Sequence, residues 1–389
     1  MIWRPTAPSS KHSLQGDASR AGGRPRCVTN GFVSPIFTHV FNNLRLCAQN
    51  AAGVPFDASQ PALSTTLPAL PGTPLAPREY HLRVITRREL LAAALAAGKL
   101  QAANRIDRSR ISAISDEIAR SPAGAIAFAK QYGLRWLELR AVPGGKAAYE
   151  SMPDAELQAA AKEFAANGIR ISYLDASLLK FPLPGAEPVR RKPETEEART
   201  KRQARDAAQF ERRMDDLQQA IRAAHILGAD KIRVFAFSRV EEPLKLLPRV
   251  AKILEPMVAL AAKEKVYLLV ENEGSCNVAT CAELAALMEL LPSKWLGVNW
   301  DTLNGTAFNE VPFPDGYRLL PKKRIGNIHI KGRSVLDYPQ RQDWRAIFEA
   351  LAGDGFQGCC GLETHIFGET QIEASHASMK EILRILEAA

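Results

Sequence analysis

From Arg110 onward the chain repeats one unit eight times: a short apolar run, a polar turn, then a segment with helical spacing. This alternation constrains the fold more than any single motif. The apolar runs are ISAIS (111–115), WLELR (136–140), ISYLDAS (171–177), KIRVFAF (231–237), VYLLVEN (266–272), WLGVNWD (295–301), IGNIHIK (325–331) and GCCGLETH (358–365). Between them lie segments of helical character at 121–133, 154–168, 203–227, 243–264, 279–291, 315–321, 343–352 and 370–388. Strands that are apolar along most of their length belong in a parallel sheet covered on both faces. Eight βα units at a spacing of roughly 30–35 residues predict an α/β fold of the (β/α)8 TIM-barrel type rather than an open sheet. No GxGxxG follows the first strand, which removes the main support for a dinucleotide fold, and GGK at 144–146 lacks the frame of a phosphate loop.

The barrel is expected over 110–389. Residues 1–83 are rich in Pro, Ser, Ala, Gly and Thr without a sustained period, the composition of a disordered extension. Residues 84–109 read either as a lead-in helix or as an export-type segment. Arg87 and Arg88 precede the apolar run 90–97, which resembles a bacterial twin-arginine signal at an unusual distance from Met1. A working signal implies the periplasm; otherwise the cytoplasm is expected.

Charge narrows the partners. The formal net charge is +9, but residues 1–110 hold 14 Lys and Arg against 5 Asp and Glu, leaving 37 of each sign in the rest. A nucleic-acid enzyme carries its basic field around the active site. Here the expected barrel is neutral, so no nucleic-acid partner is expected. No membrane partner is expected either, since no run of 18 uncharged apolar residues occurs. Homo-oligomerisation is left open. The six cysteines form no CxxC pair, and the last four (Cys276, Cys281, Cys359 and Cys360) read as buried small hydrophobes.

In a barrel of this kind functional groups gather where strands end and βα loops begin. Strand five ends in Glu271, strand six in Asp301, strand seven carries His329 between two isoleucines, and strand eight ends in Glu363. Each spacing is one βα unit, so the four side chains can converge on one rim. Taken singly, Glu271 reads as a rim salt-bridge partner, Asp301 as a helix cap and His329 as a core histidine. Taken together, three carboxylates at one mouth repel one another unless a cation neutralises them. Three oxygen ligands and one imidazole suit a divalent metal, Mn2+ or Mg2+, with Co2+ and Zn2+ also compatible; a structural zinc site would favour sulfur.

The blocks ISAISDEIA, YGLRWLELR, LLVENEG, GVNWDTLN, NIHIKG and GLETHI together resemble the sugar phosphate isomerase/epimerase group of xylose isomerase-like barrels, from about 110 to 388. The resemblance implies that Glu271, Asp301, His329 and Glu363 bind a divalent metal, commonly Mn2+. It further implies that Glu271 and Glu363 are the catalytic proton donor and acceptor on opposite substrate faces. A metal on a sugar carbonyl and its neighbouring hydroxyl acidifies the C–H between them by stabilising an enediolate. One base then gives isomerisation, and two opposed bases give epimerisation.

Expected substrate contacts are Asn304, Lys331, Arg333, His365, Trp300 and Arg140. Lys331 is equally readable as a salt-bridge partner of a rim carboxylate, and Glu117 and Arg140 as partners of each other. Phe235, Phe237 and Trp300 are read as barrel packing before sugar stacking, and Asn272 and Glu273 as supports. The expected function is a metal-dependent sugar isomerase or epimerase. The alternatives are a lyase or dehydratase of a keto-sugar or inosose on the same barrel, with His365 or Lys331 as acid, and a non-catalytic sugar-binding protein. An abasic-site endonuclease needs several zinc-binding histidines, and beyond residue 110 the chain has only His225, His329, His365 and His376.

Overall fold

The computed structural model describes residues 105–388, apart from 191, 338 and 339. The Arg87–Arg88 segment and the extension before it lie outside the described residues. Eight parallel strands make one sheet in the order β1-β8-β7-β6-β5-β4-β3-β2. The strands are β1 (Ile111–Ala113), β2 (Trp136–Leu139), β3 (Arg170–Leu178), β4 (Lys231–Val234), β5 (Tyr267–Glu271), β6 (Leu296–Asp301), β7 (Ile325–Lys331) and β8 (Cys359–Glu363). β1 pairs with β8 from Ile111↔Cys360 to Ala113↔Leu362. The seam between β1 and β2 is held by one parallel bridge, Ile114↔Glu138, so the sheet is a nearly closed barrel.

The helices around it are α1 (Pro122–Gln131), α2 (Asp154–Ala166), α3 (Glu196–Glu211), α4 (Arg213–Leu227), α5 (Pro243–Lys263), α6 (Cys281–Leu290), α7 (Gly332–Leu336), α8 (Trp344–Gly353) and α9 (Gln371–Glu387). Their ends follow local chemistry. Ser121 caps α1 by accepting from Gly124 N, with Pro122 in the first turn where no amide hydrogen is needed. Thr280 and Glu283 form a reciprocal capping box on α6, and Gly228, at φ 73°, ends α4 in the left-handed region. Apolar residues such as Leu157, Phe164, Leu217, Leu254, Leu284, Ile347 and Met379 are buried between helices and barrel.

One long helix over 203–227 is expected from the sequence; two helices meeting at Arg212 are found. The first begins earlier, capped by Thr195. Its Arg202 is 8% exposed and pairs with Glu187 (2.8 Å), Glu194 (3.1 Å) and Asp206 (3.4 Å). That charge network ties the charged segment after β3 onto the helix, which apolar periodicity could not reveal. Among the described residues no helix is long and apolar enough to cross a membrane.

Side chains alternate along each strand between the barrel interior and the helices. The interior of most barrels of this type is filled by branched apolar layers. Here the upper interior is polar: Glu138, Asp175, Arg233, Glu271, Asn299, Asp301, Asn327, His329, Lys331 and Glu363 are all buried.

Candidate metal centre

Parallel register brings the four expected ligands to nearby levels of four adjacent strands. Asp301 stands beside His329 across β6 and β7, and Lys331 beside Glu363 across β7 and β8. One ligand atom from each of Glu271, Asp301, His329 and Glu363 lies within 4.8 Å of every other. All four are buried, at 1%, 1%, 0% and 4% exposure. His329 Nδ1 sits 3.3 Å from Glu271 Oε2 and 3.2 Å from Glu363 Oε2.

Each carboxylate is aimed by its neighbours. Asp301 Oδ1 accepts from the amides of Leu303 (2.8 Å) and Asn304 (2.9 Å), which turns Oδ2 toward the cluster. Asn272 clasps the Asp301 backbone, donating to its carbonyl (2.8 Å) and accepting from its amide (2.9 Å). Glu271 Oε2 accepts from Asn299 (2.8 Å) and Arg233 (3.2 Å). Asp301 Oδ2 and Glu363 Oε2 accept no hydrogen bond of good geometry, though both are buried. Both face the Lys331 ammonium, at 3.1 and 2.9 Å. Two buried carboxylate oxygens that share one ammonium, with a third carboxylate and an imidazole around the same point, are a donor set that fits a small divalent cation.

The electrostatics are strongly coupled. Burial pushes the Asp301 carboxyl up to about 6 against the pull of Lys331. Burial acts on Glu271 too, but Arg233 and His329 outweigh it and hold that carboxyl down to about 2. Burial likewise opposes ionisation of Glu363, and Lys331 and His329 overcome it. His329 is driven well above its ordinary value: desolvation is outweighed by Glu271, Asp175 and Glu138.

Around the cluster, Arg140 bridges Asp116 (2.8 Å) and Glu117 (2.9 Å) and stands 3.9 Å from Glu363 Oε1. His365, with φ 49°, donates its amide to Glu117 and lies with Nδ1 3.4 Å from Glu363 Oε1. Asn304 is spent on structure, donating to the Asn272 carbonyl at 2.9 Å. Arg333, on α7, is exposed and is paired only loosely with Asp337, at 3.9 Å, rather than brought to the cluster. Trp300 requires a correction as a sugar contact: it is fully buried on the helix side of β6, stacked on Tyr317 with centroids 5.2 Å apart. Strand alternation dictates this, because Asn299 and Asp301 on either side point inward. Phe235 lies beneath the Lys180 ammonium, and Phe237 packs against Phe181 and Phe210.

Three interior groups were not anticipated: Glu138 on β2, Asp175 on β3 and Arg233 on β4. Glu138 Oε2 is 2.9 Å from His329 Nε2, and Asp175 Oδ1 is 3.4 Å from the same nitrogen. Burial pushes Asp175 up to about 7, with Arg233 opposing. The signal was available, since each is a lone polar residue flanked by apolar ones in a strand, as His329 is.

The sequence profile described as xylose isomerase-like TIM barrel matches residues 126–387. The chain belongs to that family. No curated protein matches the sequence of this xylose isomerase-like barrel significantly. Among solved structures the fold is similar to that of an L-ribulose 3-epimerase, with TM-score 0.52 and 19% identity over 72% of this chain and 96% of that one. It is also similar to a 3-keto-D-glucoside 4-epimerase from E. coli, with TM-score 0.50 and 15% identity over 72% and 100%. A third is a xylose isomerase-like TIM barrel protein from Mycobacterium smegmatis in complex with magnesium, with TM-score 0.52 and 14% identity over 72% and 97%.

Proposed function

We propose that the protein is a divalent-metal-dependent isomerase or epimerase of a small free sugar or sugar derivative. The observation that carries this reading is the buried convergence of Glu271, Asp301, His329 and Glu363 within 4.8 Å. The epimerases among the similar structures support it at the level of fold. Mn2+ is the cation assigned, with Glu271, Asp301, His329 and Glu363 holding it. When bound, the cation supplies Lewis-acid stabilisation of the negative charge that develops as a C–H beside a carbonyl loses its proton.

The remaining chemistry falls to the chain. Glu271 and Glu363 flank the same imidazole nitrogen, at 3.3 and 3.2 Å, and are the carboxylates assigned to accept a carbon-bound proton and return it. Lys331 and Arg140 hold the ionised form of Glu363 in place. Pocket carboxylates Glu138, Asp175, Glu271, Asp301 and Glu363 already outnumber the cations Arg233 and Lys331. A divalent ion brings that balance near neutrality, which favours an uncharged substrate over a phosphate ester.

The second reading, a dehydratase, is favoured by one observation: His365 stands 3.4 Å from Glu363 at the rim, where it can protonate a departing hydroxyl. A probable 3-DHS dehydratase from Bacillus anthracis shares the fold, with TM-score 0.51 and 15% identity. Keto-sugars and inososes incubated with the protein and Mn2+ in heavy water decide between them. Carbon-bound deuterium exchange without elimination, abolished in Glu271→Gln and Glu363→Gln, supports the isomerase or epimerase. Net loss of water selects the dehydratase, and neither outcome across the panel refutes both.

A further inference from the structure

On one side of His329 lies the ligand cluster; on the other lies a carboxylate that sequence reading did not assign. Glu138 Oε2 is 2.9 Å from His329 Nε2, and both side chains are fully buried. The Glu138 carboxylate is itself anchored: Ser112 donates to Oε1 at 2.5 Å, and Asn327 Nδ2 approaches both oxygens at 3.3 and 3.4 Å. A second feature makes the placement possible. Gly361 faces His329 across β7 and β8, and a Cβ there would lie 2.0 Å from Glu138 Oε1 and 2.5 Å from its Cδ. Gly361 therefore opens a recess in the inner wall, and the Glu138 carboxylate occupies it.

We infer that Glu138 is a positioning residue that fixes the His329 ring and its tautomer for metal binding, and that Gly361 is required to admit it. The inference rests on the reading that the four-residue cluster takes a divalent cation. An imidazole can offer a lone pair from one nitrogen only while its proton stays on the other. Every charged group facing Nε2 is an acceptor: Glu138 at 2.9 Å and Asp175 at 3.4 Å. Facing Nδ1 are Glu271 at 3.3 Å and Glu363 at 3.2 Å, while the Asn299 amide nitrogen lies within 3.5 Å of both ring nitrogens and does not choose between them. The nearest acceptor keeps a proton on Nε2, so the proton a cation would displace is the one on Nδ1, whose lone pair then faces the cluster.

Asp175 does not duplicate this role. Neither of its carboxylate oxygens accepts a hydrogen bond of good geometry, and its charge is shared with Arg233 at 3.5 Å. Glu138 is anchored at both oxygens, in space that a Cβ on Gly361 would fill. Loss of such an outer partner typically weakens metal affinity by about 10–100-fold.

The test uses the whole chain and Mn2+ itself, titrated calorimetrically, with urea unfolding of each variant. Glu138→Ala is expected to weaken Mn2+ binding about 10–100-fold, and Glu138→Gln, which keeps the shape but only one acceptor oxygen, by about tenfold. Gly361→Ala is expected to match the loss in Glu138→Ala, because its methyl evicts the carboxylate. Introduced into the Glu138→Ala background, where nothing remains to evict, Gly361→Ala is expected to add less than about twofold.

A spectroscopic reading separates positioning from mere packing. In Mg2+-saturated protein labelled with 15N-histidine, wild type is expected to show a protected His329 Nε2 proton, and Glu138→Gln and Glu138→Ala to lose that protection. Variants that bind Mn2+ as tightly as wild type, or additive losses in the double variant, overturn the inference. Failure of wild type itself to bind Mn2+ overturns the metal reading beneath it, a different result.

Discussion

Replacing Lys331 with Met tests whether its ammonium and the metal compete for the same oxygens. Lys331 Nζ lies 3.1 Å from Asp301 Oδ2 and 2.9 Å from Glu363 Oε2, and the side chain is 6% exposed. At an effective dielectric of about 20, each contact is worth roughly 5 kcal/mol before the desolvation of the ammonium is subtracted. Removing one partner of a buried ion pair typically costs about 3–5 kcal/mol, because the other charge is stranded. Taking the lower figure, metal-free Lys331→Met loses about 3 kcal/mol, or roughly 6–12 °C in Tm for a domain of this size. With saturating Mn2+ the cation neutralises the stranded carboxylates, and the loss shrinks to about 1 kcal/mol. Linkage then requires the difference of about 2 kcal/mol to reappear as roughly 30-fold tighter Mn2+ binding. Urea unfolding with and without Mn2+, together with calorimetric titration, measures both sides of that cycle. Weaker Mn2+ binding combined with unchanged metal-free stability would refute the reasoning, since Lys331 would then assist the ion rather than stand in for it.

Three further outcomes follow from the same geometry. His329 is held protonated without the ion and Asp301 titrates near 6, and metal binding needs both unprotonated, so affinity for Mn2+ rises with pH. The rise is expected to be about tenfold per pH unit for each proton displaced, steeper below pH 6, and visible as proton release in buffers of unequal ionisation enthalpy; affinity flat from pH 5 to 8 contradicts it. Arg233→Met strands Glu271 (3.2 Å) and leaves the Asp175 and Ala176 carbonyls without their donor, so a loss of about 3–5 kcal/mol is expected in chemical denaturation. Trp300→Phe is expected to lower stability by about 1–3 kcal/mol while leaving KM unchanged, because the indole faces the helices; a raised KM would restore it as a sugar contact.

The barrel was legible because its strands carry their own punctuation. The segment 325–331 is β7 residue for residue, and the other runs differ from the observed strands by a few terminal residues. At the site, strand ends pointed to Glu271, Asp301, His329 and Glu363 because each falls one βα unit after the last. The pairing of Arg140 with Glu117 was likewise foreseen as one reading of two charged strand ends. Glu138, Asp175 and Arg233 escaped because they lie inside strands two to four, where a lone polar residue reads as noise until the inward face is known. Trp300 carried two readings, packing and sugar contact, because proximity in sequence to Asp301 says nothing about which side of a pleated strand a side chain takes.

Glu138 has two attachments. Its backbone makes the bridge to Ile114 that joins the first stave to the second, and its carboxylate grips the imidazole at the heart of the pocket. The β1–β2 seam, joined by a single bridge, thus runs through the residue that contacts His329. Closure of the sheet at this seam and placement of the His329 ring therefore depend on one and the same residue.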